Sequence, residues 1–496
     1  MANANTSGAI ARITREIRQV QHGADLSLAV ACRDSDVRHI RGLIIGPPET
    51  PYEYGFFEFD IKMPKDYPIK SPVVRALTTN GCRTRFNPNI YAEGKVCLSI
   101  LGTWRGEKGE EWSSAQGLES IMLSIQSLMS SHPYENEPGF EGHKKEDPNP
   151  KAYIEKIHHE TIRISVCNRL EGHLNIDRDR TVSSFHVPKR PRTDNGSFSP
   201  AEKSPKATTN ASSGLSTPAT EASIYEYDAE ATYSALDQSQ WDPFADLMKR
   251  RFLWYYDTYI ATVNAGITQH SRHSPFTRME FEYPPNSMEG KFDYPDLLKR
   301  LRRIKTALDQ EGERWAREGA KQAEKCTQLA VQLAFQFKQL QHKWKEGSYD
   351  TSRLELNLPD PDNPFLWHLA LFGAPMTNLD GGIWHLRLTI PLDFPSTQPR
   401  LHFLTPIFHH RVSCADEDSE TKGTLCYFPE KEDEISSHLT AIMVAIEDEQ
   451  PVFDPRAVVN PEAFKLFWGV GEGRKGEERK EYNRRLRRSA QESGEI

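Results

Sequence analysis

The stretch richest in chemical groups runs Phe86-Asn87-Pro88-Asn89-Ile90-Tyr91, then Gly94-Lys95-Val96-Cys97-Leu98-Ser99-Ile100-Leu101, and then Trp112-Ser113. It sets a cysteine behind an Asn-Pro-Asn turn. A thiol with a pKa near ambient pH is at once a nucleophile and a leaving group, so Cys97 could take up a group on sulfur and release it again. Taken alone, a cysteine is more often a small buried core residue than a nucleophile. The weight therefore rests on the company that Cys97 keeps.

The elements that must position it can be read from periodicity. Ile10, Ile13, Ile17 and Val20 are spaced three and four apart and predict a first amphipathic helix, with Arg12, Arg15 and Arg18 off the stripe. Phe57, Phe59, Ile61 and Met63 alternate with Glu58, Asp60 and Lys62, the pattern of a half-buried strand. Pro64, Pro68 and Pro72 break it, and Val73-Val74 resumes strand character. Leu118, Ile121, Met122, Ile125, Leu128 and Met129 form a long helical stripe. Helix, strands, an irregular stretch holding the cysteine, then helices make an α+β domain.

Here the sequence resembles the ubiquitin-conjugating (UBC) family. The resemblance covers roughly residues 10–142 and is carried by GPPETPYEYGFFEFDIKMPKDYP, the NPN-x7-C spacing, the Trp after the cysteine and the loop HPYENEP. The motif that is usually His-Pro-Asn reads Asn87-Pro88-Asn89. This variant, with the run KVCLSILGTW, is similar to the large branch of the family that carries a long C-terminal extension. TIRISVCNRLEGHL, FLWYYDTY and GKFDYPDLLKRL also resemble that extension. The resemblance implies that an activating enzyme hands ubiquitin or a ubiquitin-like modifier to Cys97 as a thioester. A substrate lysine or a ligase cysteine then receives it. Serine in place of Cys97 would form a stable ester and stop the relay. Asn89 is expected to steady the loop or the oxyanion formed as an amine attacks, Asn87 to take over the loop-holding role of the family His, and Glu137 to orient an incoming lysine. Ile69, Ala115 and the helix-one arginines fall where ligases and the activating enzyme dock. The competing expectation is a catalytically silent binding module or scaffold that uses the same fold.

The pattern recurs. Gly55 to Pro64 leading into Asp66-Tyr67-Pro68 is matched by Gly382 to Pro391 leading into Asp393-Phe394-Pro395. Upstream, Gly46-Pro47-Pro48 matches Gly373-Ala374-Pro375, and downstream Phe86 and Phe408 each precede a cysteine. Four matches in one order predict two copies of one fold. In the second, His409 stands where the family His would be, His410 and Arg411 replace Pro and Asn, and CADEDSETK lengthens the approach to Cys426. The copy is therefore expected to be degenerate, with Cys426 inactive. A zinc site from His409, His410, Cys414 and Cys426 is disfavoured, because the spacing matches no common zinc pattern.

The expected organisation is a catalytic UBC domain at 1–172, a disordered Ser/Thr/Pro-rich linker at 173–240, a helical extension at 241–312, a second UBC-like domain at 313–470 and a charged tail at 471–496. The linker composition cannot bury enough apolar surface to offset ordering entropy. Its basic cluster Pro188-Lys189-Arg190-Pro191-Arg192 reads equally as a nuclear import signal or a solvated patch, and Ser199, Ser204 and Thr217 each precede a proline. The chain has 496 residues, a net charge of −8 and seven cysteines without a CxxC. That charge carries no nucleic-acid footprint, and the cysteine usage fits a reducing compartment. No run is apolar enough for a membrane span. Cytoplasmic or nuclear location is expected, with no metal or organic cofactor. The expected partners are the modifier, its activating enzyme, ligases and protein substrates, with no membrane and no nucleic acid.

Overall fold

The fold is taken from a computed structural model that describes residues 2–23, 25–106, 109–176, 241–284, 286–345, 353–414, 420–469 and 475–495. The Ser/Thr/Pro-rich stretch from 177 to 240, with its basic cluster and Ser-Pro and Thr-Pro pairs, lies outside the described residues.

Helix α1 (Ala2–Gln21) lays Ile13, Ile17 and Val20 on the core, while Ile10 stays exposed. Strands β1 (Leu28–Arg33), β2 (Asp36–Ile45), β3 (Phe56–Lys62) and β4 (Val73–Ala76) form an antiparallel meander in that order. Helix α2 (Leu118–Leu128) packs Leu118, Ile121, Met122 and Ile125 against Phe57, Phe59 and Ile61. The alternation of β3 predicts a solvated outer face, and this expectation is corrected. Glu58 is only 2% exposed and pairs with Arg41 at 3.0 Å and with Arg169. Helix α3 (Pro148–Glu160), a π-helical stretch over 161–168 and α4 (Arg169–His173) run on from the domain. Ile162, Val166 and Leu170 cover Leu43, Ile45 and Phe56 on that outer face.

The extension continues this cover. Helix α5 (Ala245–Gln269) adds Phe252, Tyr255, Tyr259 and Val263 to the same cluster. Helix α6 (Tyr294–Glu324) is capped by Asp293, whose carboxylate accepts from Asp296 N at 3.1 Å, and buries Leu297, Leu301, Ile304, Leu308 and Trp315. This helix runs through the expected boundary at 312. The extension and the second copy therefore share one continuous element: the buried face runs from Leu308 to Trp315 through Glu311, whose carboxylate accepts from Lys249 Nζ of α5 at 2.6 Å.

Between α5 and α6 the chain passes back to the first domain. Lys156 there donates to both oxygens of Glu282 at 2.6 Å and to Thr277 O at 3.0 Å, and neither side chain of the pair is more than 1% exposed. Breaking a buried pair strands a charge out of water. Glu282→Ala is expected to cost about 3–5 kcal/mol, read as a lowered midpoint of urea unfolding. A loss under about 1 kcal/mol would mean that Lys156 reaches water or another acceptor.

The second copy repeats the plan. Helix α7 (Gln328–Lys345) precedes the meander β5 (Leu354–Asn357), β6 (Leu366–Phe372), β7 (Ile383–Thr389) and β8 (Arg400–Phe403), and α8 (Ile435–Glu447) packs where α2 does. Gly46 and Gly373 explain one conserved spacing of the repeat. A Cβ on either would lie under 2 Å from a carbonyl oxygen, that of Tyr52 and of Leu379 respectively. After α9 (Pro461–Trp468) comes α10 (Lys475–Gly494), the expected charged tail. It is a docked helix instead. Tyr482, Leu486 and Ala490 recur every fourth residue and are buried in the second core, and Ser493 Oγ accepts from Ile383 N at 3.0 Å. Three apolar residues among many charges are enough to seat one face.

Candidate active site

The cysteine loop is built on Phe86, which is buried edge-on to Phe57 at 5.2 Å and whose carbonyl accepts from Tyr52 Oη at 2.8 Å. Asn87 is fully buried. Its Nδ2 donates to Tyr52 Oη at 2.9 Å and to Leu128 O at 2.8 Å, and its Oδ1 accepts from Asn89 N at 2.9 Å. One amide thus ties the loop to the end of α2. Asn89 then brackets the cysteine: its carbonyl accepts from Cys97 N at 2.8 Å, and its Nδ2 donates to Cys97 O at 3.1 Å. Gly94, at φ +94°, closes the intervening turn, with Gly94 N donating to Tyr91 O and Tyr91 N to Lys95 O, both at 2.9 Å. That left-handed backbone costs a glycine little.

Cys97 is 3% exposed. Burial raises its thiol pKa; Lys95, a hydrogen bond from Tyr91 and the charge of Arg85 pull it down, and Glu137 pushes it up. Glu137 is joined to the cysteine loop through Arg85, whose Nη2 donates to its carboxylate at 3.0 Å and to Pro88 O at 2.5 Å. Burial raises the Glu137 pKa and Arg85 opposes the rise. The structure therefore brings Cys97, Asn89 and Glu137 to one place, and adds Arg85 and Tyr91, which sequence reasoning missed. Tyr91 lies within the motif Phe86-Asn87-Pro88-Asn89-Ile90-Tyr91. Arg85 carried no motif: Pro88 and Tyr91 are close in sequence, but Glu137 and Phe281, which give it its place in the site, lie far along the chain.

Ile69 is 80% exposed, Ala115 is exposed, and Trp112 Nε1 fixes the neighbouring turn by donating to Pro68 O at 2.8 Å. The helix-one arginines divide. Arg15 and Arg18 are exposed, whereas Arg12 is committed to Glu16 and to Gln116 O, both at 2.7 Å.

In the second copy the same frame recurs with other side chains. Cys426 N donates to Arg411 O at 2.9 Å, as Cys97 N does to Asn89 O, and Arg411 N donates to His409 Nδ1 at 3.1 Å, as Asn89 N does to Asn87 Oδ1. Cys426 is 1% exposed and belongs to the apolar cluster of Trp254, Tyr255 and Val459, so α5 lies over it. Burial pushes its thiol up to about 11 against the opposing charges of Arg251 and Arg411. The acidic insertion that was expected to disfavour this thiolate falls largely outside the described residues. Glu420, at its end, pairs with Arg387 at 3.3 Å. His410 Nδ1 meets Tyr482 Oη at 3.0 Å and Cys414 N donates to Asp257 at 2.6 Å; among the described residues no group of three or more His, Cys, Asp or Glu is placed to hold a metal ion.

A buried loop holding a cysteine on an antiparallel meander, flanked by α1 and α2 and present twice, defines the class. The family model "Ubiquitin-conjugating enzyme" matches residues 12–160 and 336–419. A zebrafish protein named "Ubiquitin-conjugating enzyme E2 Z" is 35% identical over 299 residues, 60% of this chain and 68% of that one. The chain belongs to the ubiquitin-conjugating enzyme family. Frog (Xenopus tropicalis) and human proteins of the same name are 49% and 48% identical over 163 and 161 residues, which are 33% and 32% of this chain. The chain spans about half the length of these two relatives, 51% and 44%. Among the described residues no helix is long and apolar enough to cross a membrane.

Proposed function

We propose that Cys97 carries ubiquitin or a ubiquitin-like modifier as a thioester and passes it to a substrate lysine or a ligase cysteine. In loading, the Cys97 thiolate attacks the thioester carbonyl on the activating enzyme; a new C–S bond forms, and the activating enzyme's thiolate leaves. In transfer, an amine or a ligase thiolate attacks the same carbon and Cys97 leaves as thiolate; an attacking amine gives up one proton. ATP is consumed by the activating enzyme.

The observation that carries this reading is the double bracket of Asn89 on Cys97, which holds the carrier cysteine on a hydrogen-bonded loop. A fixed loop keeps the acyl carbon in one place while acceptors come and go. Glu137 is the nearby carboxylate, and its role is to receive the proton of, or orient, the acceptor amine. Exposed Ile69 and Ala115 offer a ligase-facing surface, and Arg15 and Arg18 a cationic one for the activating enzyme. The burial of Cys97 favours the competing reading, a silent scaffold. Incubation with activating enzymes, ATP and a panel of modifiers separates the two. A single adduct, one modifier per chain and released by reductant, is expected. No adduct with any modifier would leave the scaffold.

A further inference from the structure

The segment between α5 and α6 is part of the extension, yet it sits in the catalytic core. Met279, Phe281 and Met288 are buried in the cluster that also holds Phe86, Ile90 and Val96 of the cysteine loop. The Lys156–Glu282 pair anchors it. From this platform two hydrogen bonds reach the loop. Asn286 Oδ1 accepts from Ala92 N at 3.1 Å. Phe281 O accepts from Arg85 Nη1 at 3.1 Å.

Arg85 is the pivot. It is 4% exposed, and its Nη2 donates to Pro88 O at 2.5 Å and to Glu137 at 3.0 Å. Its guanidinium also lies over the rings of Tyr91, at 4.4 Å, and Phe281, at 5.6 Å. A guanidinium is a rigid planar fork, so a shift of Phe281 is transmitted to Pro88, Glu137 and Tyr91 together. An ammonium in its place keeps the charge but is a point donor on a flexible stem.

We propose that Arg85 is a positioning residue through which the segment between α5 and α6 sets the face of the Cys97 site formed by Glu137 and Tyr91. The extension is then a working part of the transfer step. This inference rests on the reading of Cys97 as the acyl carrier. It predicts that loosening the extension side alone, at a residue that touches neither thiol nor carboxylate, slows transfer.

The test uses the full chain with Arg85→Lys, Arg85→Ala and Asn286→Ala. Three quantities are measured: thioester loading, single-turnover discharge onto free lysine at saturating lysine, and the pH profile of Cys97 alkylation by iodoacetamide, followed on its own peptide. The groups acting on that thiol are Lys95, Tyr91, Arg85 and Glu137. Arg85→Lys keeps the cation, so its alkylation midpoint stays in place while maximal discharge falls about tenfold or more, the cost of a misplaced reacting group. Asn286→Ala lowers maximal discharge in the same way, with loading and alkylation unchanged. Arg85→Ala moves the alkylation midpoint to higher pH, because a cation near the thiolate is lost. Wild-type discharge in Arg85→Lys overturns the role of Arg85 whatever Asn286→Ala does, wild-type discharge in Asn286→Ala overturns the role of the segment, and a loss that affects loading equally and tracks a lowered melting temperature overturns both. A wild-type chain that loads no modifier overturns the carrier reading itself; normal loading with unaffected variants overturns only the roles of Arg85 and the segment.

Discussion

Cys97→Ser leaves no reductant-sensitive adduct, even though Cys426 remains in the chain. The hydroxyl either accepts the modifier as an oxygen ester, which reductant does not release, or accepts nothing. The effect expected is complete loss of the thioester, because thiolate character and leaving ability are properties of sulfur. Cys426 does not substitute. It keeps the backbone frame of a carrier cysteine, but α5 packs over it with Trp254 and Tyr255, and burial pushes its thiol up to about 11. At neutral pH the thiolate is scarce there, and the acyl carbon of a bulky donor cannot reach it. Cys426→Ala, conversely, leaves single-site loading intact. Intact mass measures both. A thiol-sensitive adduct in Cys97→Ser, or two modifiers per wild-type chain, would make the second copy an active site.

Asn89→Ala separates loading from transfer. In the resting site its Nδ2 donates to Cys97 O. Loss of that bond costs the loop about 1 kcal/mol, too little to unseat a turn also held by Asn87, so loading proceeds at nearly the wild-type level. Transfer to an amine passes through a charged tetrahedral state, and loss of a preorganised amide donor there typically costs about a hundredfold or more. Discharge onto free lysine is therefore expected to fall by that factor, measured by single turnover after the activating enzyme is quenched. Equal loss of loading and discharge would assign Asn89 to holding the loop alone.

Both experiments rest on residues that were legible in the sequence. The Asn-Pro-Asn turn, the spacing to Cys97 and the later Trp112 are local, and so are their contacts: Asn89 reaches the peptide of Cys97, and Trp112 reaches Pro68. The repeat was legible for the same reason, since Gly46 and Gly373 each need room for a carbonyl within a few residues. Glu137 was less so. The resemblance implied a place beside the thiol, and its ion pair with Arg85 does not follow from any motif. The outer face of β3 was misread because Glu58 looks like a solvated residue until Arg41 and Arg169 meet it. The tail was misread because a net count of charges hides three apolar residues on one helix face.

What the sequence determined by itself are the features whose cause lies within a turn or two of chain: the amphipathic stripes, the alternating strands, the cysteine loop and its duplicate. Periodicity and turn chemistry act at short range and leave a signature at short range. The tertiary structure alone decided which cysteine is covered, which carboxylate is paired and where the extension acts. α5 closes over Cys426, Lys156 finds Glu282, and Arg85 finds Phe281, partners separated by well over a hundred residues. Such contacts are selected by shape and by the cost of leaving a buried polar group unpaired. Neither follows a period along the chain, so only the packed fold could reveal them.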